Sequence, residues 1–279
     1  PPHPPRALYN GHTPPRGEHA EAATGAPDAD GERTQRQDLG VRWAVRHMPT
    51  AEELKKTYIK LLKRLFGETI YISIEDLKLH IFTDGFGSIE ENLFTNVYFS
   101  RREIRKAKTI VDLGAHHCSF TTWAILNATP GSTIIAVEPN PLAVRLCLDN
   151  IHLLRDTIRD KRLAVKILHA AVWDARGTAA LQTSYWSEEA HVSDAPGGHP
   201  VKALTLDDVL KLSTGPTAVK MDIEGAEHRV LKKAKLDNVE AISLEVHGDP
   251  SEVLRALRKQ GFETQIHIYP IRKELSAAW

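Results

Sequence analysis

Several things are scarce in this chain, and each scarcity closes off a class of function. Lys and Arg total 36 against 36 Asp and Glu, a formal net charge of zero. The clustered basic excess of a dedicated nucleic-acid binder is therefore missing, apart from the short run Arg101-Arg102-Glu103-Ile104-Arg105-Lys106. No apolar run approaches the roughly 18 residues of a membrane-crossing helix and no signal peptide is visible, so a soluble, cytoplasmic protein without a membrane span is expected. There are only two cysteines, Cys118 and Cys147, with no metal-ligand spacing. Both fall in segments read as interior, which predicts free thiols in a reducing compartment rather than a disulfide scaffold. Gly-x-Gly-x-x-Gly, the dinucleotide fingerprint, is absent.

What is present centres on Thr109–Trp123. Thr109 to Leu113 is a β-branched and apolar run, Gly114 breaks it, and apolar residues return at helical spacing from Ser119 (Phe120, Trp123, Ala124). This reads as strand, tight turn and helix, the first unit of a nucleotide-type α/β fold, whose ligands bind beyond the carboxyl ends of the strands. Asp112 is thereby expected at the mouth of a pocket. An aspartate there repels a pyrophosphate and attracts a cationic cofactor without phosphate, such as S-adenosylmethionine. A second apolar strand, Ser132 to Val137, ends in Glu138, placed to accept hydrogen bonds from ribose hydroxyls. Asn140-Pro141 then opens a helix to about Leu154.

A third strand is expected over Leu163 to Val172, its small residues around Ala171 leaving room for a flat ring. Extra strands are expected at Gly177 to Thr183 and Val201 to Leu204, flanking a loop at 184–200 suited to shaping acceptor choice. Thr205-Leu-Asp-Asp208 starts a short helix. Thr217 to about Asp222 is a buried strand with a turn at Gly225, and Val239 to Val246 is a fifth strand. Asp249-Pro250 caps a helix to about Gln260, and Phe262 to Ile268 with Lys273 to Trp279 would close the sheet as an antiparallel pair. The predicted fold is a Rossmann-like, mostly parallel, doubly wound seven-stranded sheet.

Ahead of it, residues 1–47 are rich in Pro, Gly, Ala and charge without apolar periodicity, and are read as a disordered extension. The first methionine, Met48, stands just before the first helical pattern, so the extension is expected to be dispensable. Residues 48–106 are read as an N-terminal cap. It comprises a helix from Thr50 with an apolar face (Leu54, Tyr58, Leu61, Leu62, Leu65), a hairpin of Thr69–Ile74 and Leu77–Phe82, a turn at Asp84-Gly85-Phe86-Gly87, and the aromatics Phe94, Tyr98 and Phe99 packing the domain entrance. Residues 107–279 form the main domain.

Five segments, Val111-Asp-Leu-Gly-Ala115, Val137-Glu-Pro-Asn-Pro141, Leu204-Thr-Leu-Asp-Asp208, Val219-Lys-Met-Asp-Ile-Glu-Gly-Ala-Glu227 and Glu245-Val-His247, resemble in order and spacing the FkbM family of S-adenosylmethionine-dependent methyltransferases. The resemblance covers roughly Glu90 to the C-terminus. It implies methyl transfer to a hydroxyl, with Asp112, Gly114 and Ala115 at the methionine end of the cofactor, Glu138 at the ribose and Asp222 beside the methyl. His116, Pro139 and, from the end of the third strand, Ala171 are expected around the same cofactor. The first motif departs from the family pattern, carrying His116 for the usual Asn and Cys118 for a Gly. A side chain where the backbone needs positive φ strains the turn.

The chemistry allows several roles. Asp222 or His247, with Glu224 nearby, can serve as general base toward an acceptor hydroxyl. The same carboxylates can instead hold a divalent metal, the less favoured cofactor, or simply pair with Lys220 and His228. The acceptor is expected to be a small molecule or glycan rather than nucleic acid, with an RNA methyltransferase and an inactive cofactor-binding protein as alternatives. Oligomeric state is not encoded in any recognisable pattern.

Overall fold

The computed structural model describes residues 51–266 other than 184–186, 188 and 189. The expectations for 1–47, for the Thr50 cap and for the strand Lys273–Trp279 lie outside them. The described chain opens with helix α1 (Ala51–Phe66) and an antiparallel hairpin, β1 (Thr69–Ile74) and β2 (Leu77–Phe82). The hairpin falls where the alternation placed it. Helix α1 buries Ile59 and leaves Leu54, Tyr58, Leu61 and Leu65 exposed, so its expected apolar face points outward. The expected turn is present at Asp84 and Gly85 but ends there: a short helix α2 (Phe86–Ile89) takes over at Phe86 and runs into a π-helical turn, Glu90–Thr95.

A capping box on Ser100 starts α3 (Arg101–Ile104), and the central sheet follows. Its strands are β3 (Thr109–Leu113), β4 (Thr133–Glu138), β5 (Ala164–His169), β10 (Thr217–Met221) and β11 (Val239–Leu244), in the order β11-β10-β3-β4-β5 and parallel throughout. Among the described residues the sheet has five strands, not seven. Phe262–Ile266 forms no strand. The predicted third strand breaks at Ala170. Its end, β6 (Ala171–Val172), leaves the main sheet and pairs with β9 (His199–Leu204) in a second sheet completed by β7 (Gly177–Gln182) and β8 (His191–Ser193).

Alternation along the strands separates two cores. Val111, Leu113, Ile135, Val137, Val219 and Met221 face one side, packed with Val230, Leu231, Val253 and Leu257 of α8 (Glu227–Lys233) and α9 (Ser251–Lys259) and with Leu181, Val201 and Ala203 of the second sheet. Ile110, Ile134 and Ala218 face the other, under Phe120, Trp123 and Ala124 of α4 (Ser119–Asn127). Strands β3 and β10 are buried along their whole length, as expected of central parallel strands covered on both faces. The remaining helices, α5 (Pro141–Leu153), α6 (Arg155–Asp160) and α7 (Leu206–Leu210), connect these layers. Asn140 caps α5 through Leu142 N–H, and a capping box on Thr205 opens α7. Among the described residues no helix is long and apolar enough to cross a membrane.

Candidate active site

The carboxyl ends of β3, β4 and β10 open into one cleft lined by Gly114, Ala115, His116, Val137, Glu138, Pro139, Ala171, Val172, Lys220, Asp222, Glu224 and Glu245, with Glu91 and Asn92 from the cap and His191 and Val192 from the loop region. Gly114 lies at φ +71°, and a Cβ there would fall 1.7 Å from the Asp222 carbonyl oxygen. Only glycine lets the two strand ends approach this closely.

Asp112 is not at the mouth. It is fully buried and absent from the cleft wall, because its place in the β3 alternation turns it with Ile110 toward α4. There Oδ2 accepts the Thr121 hydroxyl at 2.6 Å, and Lys220 Nζ stands 3.4 Å from Oδ1. Burial pushes the Asp112 carboxyl up, against the pull of Lys220. Lys220 pairs in register with Asp112 across the sheet, lies 3.6 Å from Asp222 Oδ2 and donates to the Gly114 carbonyl at 2.7 Å. Burial alone would lower its pKa, but Asp112 and Asp222 together hold it above the usual value. One buried ammonium thus ties together the first strand, its glycine turn and the fourth strand.

Glu138 sits in the wall, 6 % exposed, with Oε2 accepting His116 N–H and Oε1 accepting Asn140 N–H, both at 2.8 Å. Burial outweighs these bonds and pushes its carboxyl up to about 7. The His116 ring stacks on Phe82 with centroids 4.8 Å apart, both nitrogens buried and without a hydrogen-bond partner among the described residues. Burial and then Lys220 lower it to about 3, so it stays neutral.

Cys118, at φ +66°, is the N-cap of α4 and occupies the left-handed conformation that favours glycine. It forms a disulfide with Cys147 of α5, which corrects the expectation of two free thiols. The two segments that looked independently interior are neighbours, with Ala115 and Ala136 around them.

Asp222 follows β10. Its Oδ2 accepts the Tyr98 hydroxyl at 3.1 Å, while Oδ1 is buried without a hydrogen-bond partner among the described residues. Burial, reinforced by Asp222, drives the Tyr98 phenol far above its ordinary pKa. Tyr98 is a site residue that sequence reasoning assigned only to packing. Its contact spans 124 residues of chain and leaves no local signal.

His247 stands beside the cleft rather than in its wall. Nε2 is 3.2 Å from Glu224 and Nδ1 is 3.2 Å from Glu227, and these two bonds raise its pKa to about 11. A histidine already protonated at neutral pH cannot accept a proton, so in this arrangement the expected role of His247 as general base falls away. His228 does not pair with a carboxylate as envisaged; its Nε2 meets the His247 carbonyl at 2.8 Å. Strands β10 and β11 end before Glu224 and Glu245, so strand alternation does not align these acids. The turn around Glu224, at φ +51°, does so instead.

The family model described as Methyltransferase FkbM domain matches residues 112–264, more than half of the chain. The chain belongs to the FkbM methyltransferase family. No curated protein matches it significantly. Among solved structures it is similar to an FkbM methyltransferase from Methylobacillus flagellatus KT, with 17 % identity, 69 % of this chain and 43 % of that chain covered and a TM-score of 0.35. It is also similar to the Pyrococcus abyssi tRNA (uracil-54, C5)-methyltransferase, with 13 % identity, 70 % and 38 % covered and a TM-score of 0.36. A precorrin-6y C5,15-methyltransferase from Geobacter metallireducens GS-15 shows 18 % identity, 56 % and 63 % covered and a TM-score of 0.32. The chain spans less than two thirds of the length of each of these three. Superpositions this loose carry no weight on activity; the family match does.

Proposed function

We propose that this FkbM-family methyltransferase uses S-adenosylmethionine to methylate a hydroxyl on a small molecule or sugar. The observation that carries the proposal is the convergence of Gly114, Glu138 and Asp222, at the carboxyl ends of three parallel strands, on one acid-lined cleft. Asp112 takes no part as a direct ligand in this reading. It holds Lys220, which fixes the Gly114 carbonyl, so its contribution is to the shape of the turn.

The residues fit such a cofactor. Gly114 and Ala115 line the cleft, without bulky side chains, where the amino-acid end would lie. Glu138 retains lone pairs for ribose hydroxyls beyond the two N–H groups it already accepts, and Pro139, Ala171 and Val172 offer an apolar surface for the base. The cofactor would supply an electrophilic methyl on a sulfonium. The protein must then align an acceptor oxygen in line with that methyl and receive its proton. Asp222, with Oδ2 anchored by Tyr98 and Oδ1 unpartnered, is placed to do so. Glu91, Glu224 and Glu245 on the same wall oppose a phosphodiester backbone, which favours a small hydroxylated acceptor over RNA.

Calorimetric titration with S-adenosylmethionine and S-adenosylhomocysteine tests the reading: both should bind, and absence of heat with either would favour an inactive relative. Asp222→Ala should keep cofactor affinity within about tenfold while abolishing turnover. Equal loss of both would move Asp222 to cofactor binding.

A further inference from the structure

The geometry points to a divalent-metal site formed by Asp222, Glu224 and His247 at the acceptor side of the cleft. This inference rests on the methyltransferase reading for its purpose but not for its existence. One donor atom from each of the three residues lies within 4.8 Å of the other two. Donors around a six-coordinate ion with bonds of roughly 2.1–2.2 Å sit about 3 to 4.4 Å apart, so a small inward movement of side chains completes the set.

Two further observations set the cluster apart from a merely acidic surface. Glu227, fully buried, accepts N–H groups of Ile223 and Gly225 through Oε1 and meets His247 Nδ1 with the same oxygen. That is the outer-shell carboxylate that commonly orients a ligating imidazole, and it turns Nε2 toward Glu224; the Nε2 proton that the two glutamates hold in the metal-free protein would leave as the ion binds. Asp222 uses Oδ2 for Tyr98 and Lys220, whereas Oδ1 is buried without a hydrogen-bond partner among the described residues. A desolvated carboxylate oxygen without a donor is costly unless a cation serves it.

Two carboxylates and one imidazole suit an ion of the Mn²⁺ type better than Mg²⁺, which seldom takes nitrogen. Three protein ligands leave positions open on the ion, and the cleft beyond them is where an acceptor hydroxyl would lie. An ion there would orient that hydroxyl and lower its pKa so that its proton could leave to water in the cleft, with Asp222 then serving the ion instead of taking the proton itself; the acceptor would be a molecule with oxygens able to reach a metal.

Mn²⁺ alone, titrated into the full chain without cofactor and followed by electron paramagnetic resonance, tests this. The expected result is one site per chain with an affinity at least tenfold weaker in Glu224→Gln and His247→Gln. If His247→Gln fails to fold, Glu224→Gln decides, because that side chain is 32 % exposed on a turn. No binding up to on the order of 1 mM Mn²⁺, or equal binding by wild type and Glu224→Gln, overturns the site. Calorimetry with S-adenosylmethionine on the same wild-type protein separates the two readings. Metal uptake without cofactor binding supports the site and removes the methyltransferase; cofactor binding without metal uptake does the reverse.

Discussion

Two strand-turn-helix units lie side by side at the cleft and are held in opposite ways. The first runs from β3 through Gly114 to α4. It is dry, bridged by the Cys118–Cys147 disulfide and braced by the buried Asp112–Lys220 pair. The second runs from β10 through Gly225 to α8, and is held by half-exposed ionic hydrogen bonds among Glu224, Glu227 and His247. Both turns contain non-glycine residues at positive φ, His116 at +49° and Cys118 at +66° in the first and Glu224 at +51° in the second. The turn that the proposed function gives to the cofactor is locked by covalent and buried bonds. The turn it gives to the acceptor is locked by groups that water and protons can reach. The first unit should therefore respond to loss of buried charge or to reduction, the second to pH.

The largest break should come from Lys220→Met. It leaves Asp112 buried and unpaired and frees the Gly114 carbonyl, at an expected cost of about 3–5 kcal/mol, read as a fall in the denaturant midpoint. A loss below about 1 kcal/mol would show that Asp112 is readily neutralised by a proton once Lys220 is gone and does not need the ammonium. Next comes the disulfide. It closes a loop of sequence separation 29, worth about 3–4 kcal/mol through the unfolded chain. Reduction, or Cys147→Ser, should lower the melting temperature and weaken cofactor binding through the loosened α4 N-terminus, while leaving the pH response of the second turn unchanged. Thiol titration of the denatured, unreduced protein that finds two free cysteines would remove this half of the comparison.

For the second turn the sign follows from His247, whose folded pKa is raised from 6.5 to about 11 chiefly by Glu224 and Glu227. Its stabilising contribution is complete below pH 6.5 and is lost as pH rises through about 11. Stability measured from pH 7 to 10.5 should thus fall more steeply in the wild type than in His247→Gln. Because the ring is 36 % exposed, solvent will reduce the effect below what the shift suggests. Parallel curves would show that the turn does not depend on the protonated imidazole.

The same contrast explains what the sequence disclosed. Runs such as Thr109–Leu113 and Leu77–Phe82 announce strands because burial on a pleated ribbon leaves a period-two or wholly apolar trace. The places of Gly114 and Glu138 at the cleft were legible because each lies at or next to a strand end. The wrong placement of Asp112 arose because the strand-end position suggests the cleft, while alternation, one residue further from the end, turns the side chain into the core. Lys220, buried among apolar neighbours, reads as a pairing cation in sequence, but its reach to the Gly114 carbonyl depends on which strands are adjacent. The break at Ala170 and the Cys118–Cys147 bridge are long-range facts of the same sort, settled by packing rather than local pattern.

The smallest effect, and the one that ties both turns together, is expected from Tyr98→Phe. The ring lies 5.3 Å from Lys220 Nζ and packs edge-on against Phe120 of the first unit, while its hydroxyl donates to Asp222 of the second. Phenylalanine keeps the ring and loses only the donor, so stability should drop by about 1 kcal/mol and cofactor affinity should scarcely change. Asp222 would then have both oxygens without a hydroxyl donor and only Lys220 to orient it, so turnover should fall by more than the loss of stability accounts for. A split in which kcat drops while KM for the cofactor holds assigns Tyr98 to positioning the carboxylate. A variant as active as the wild type would return Tyr98 to the packing role that the sequence suggested.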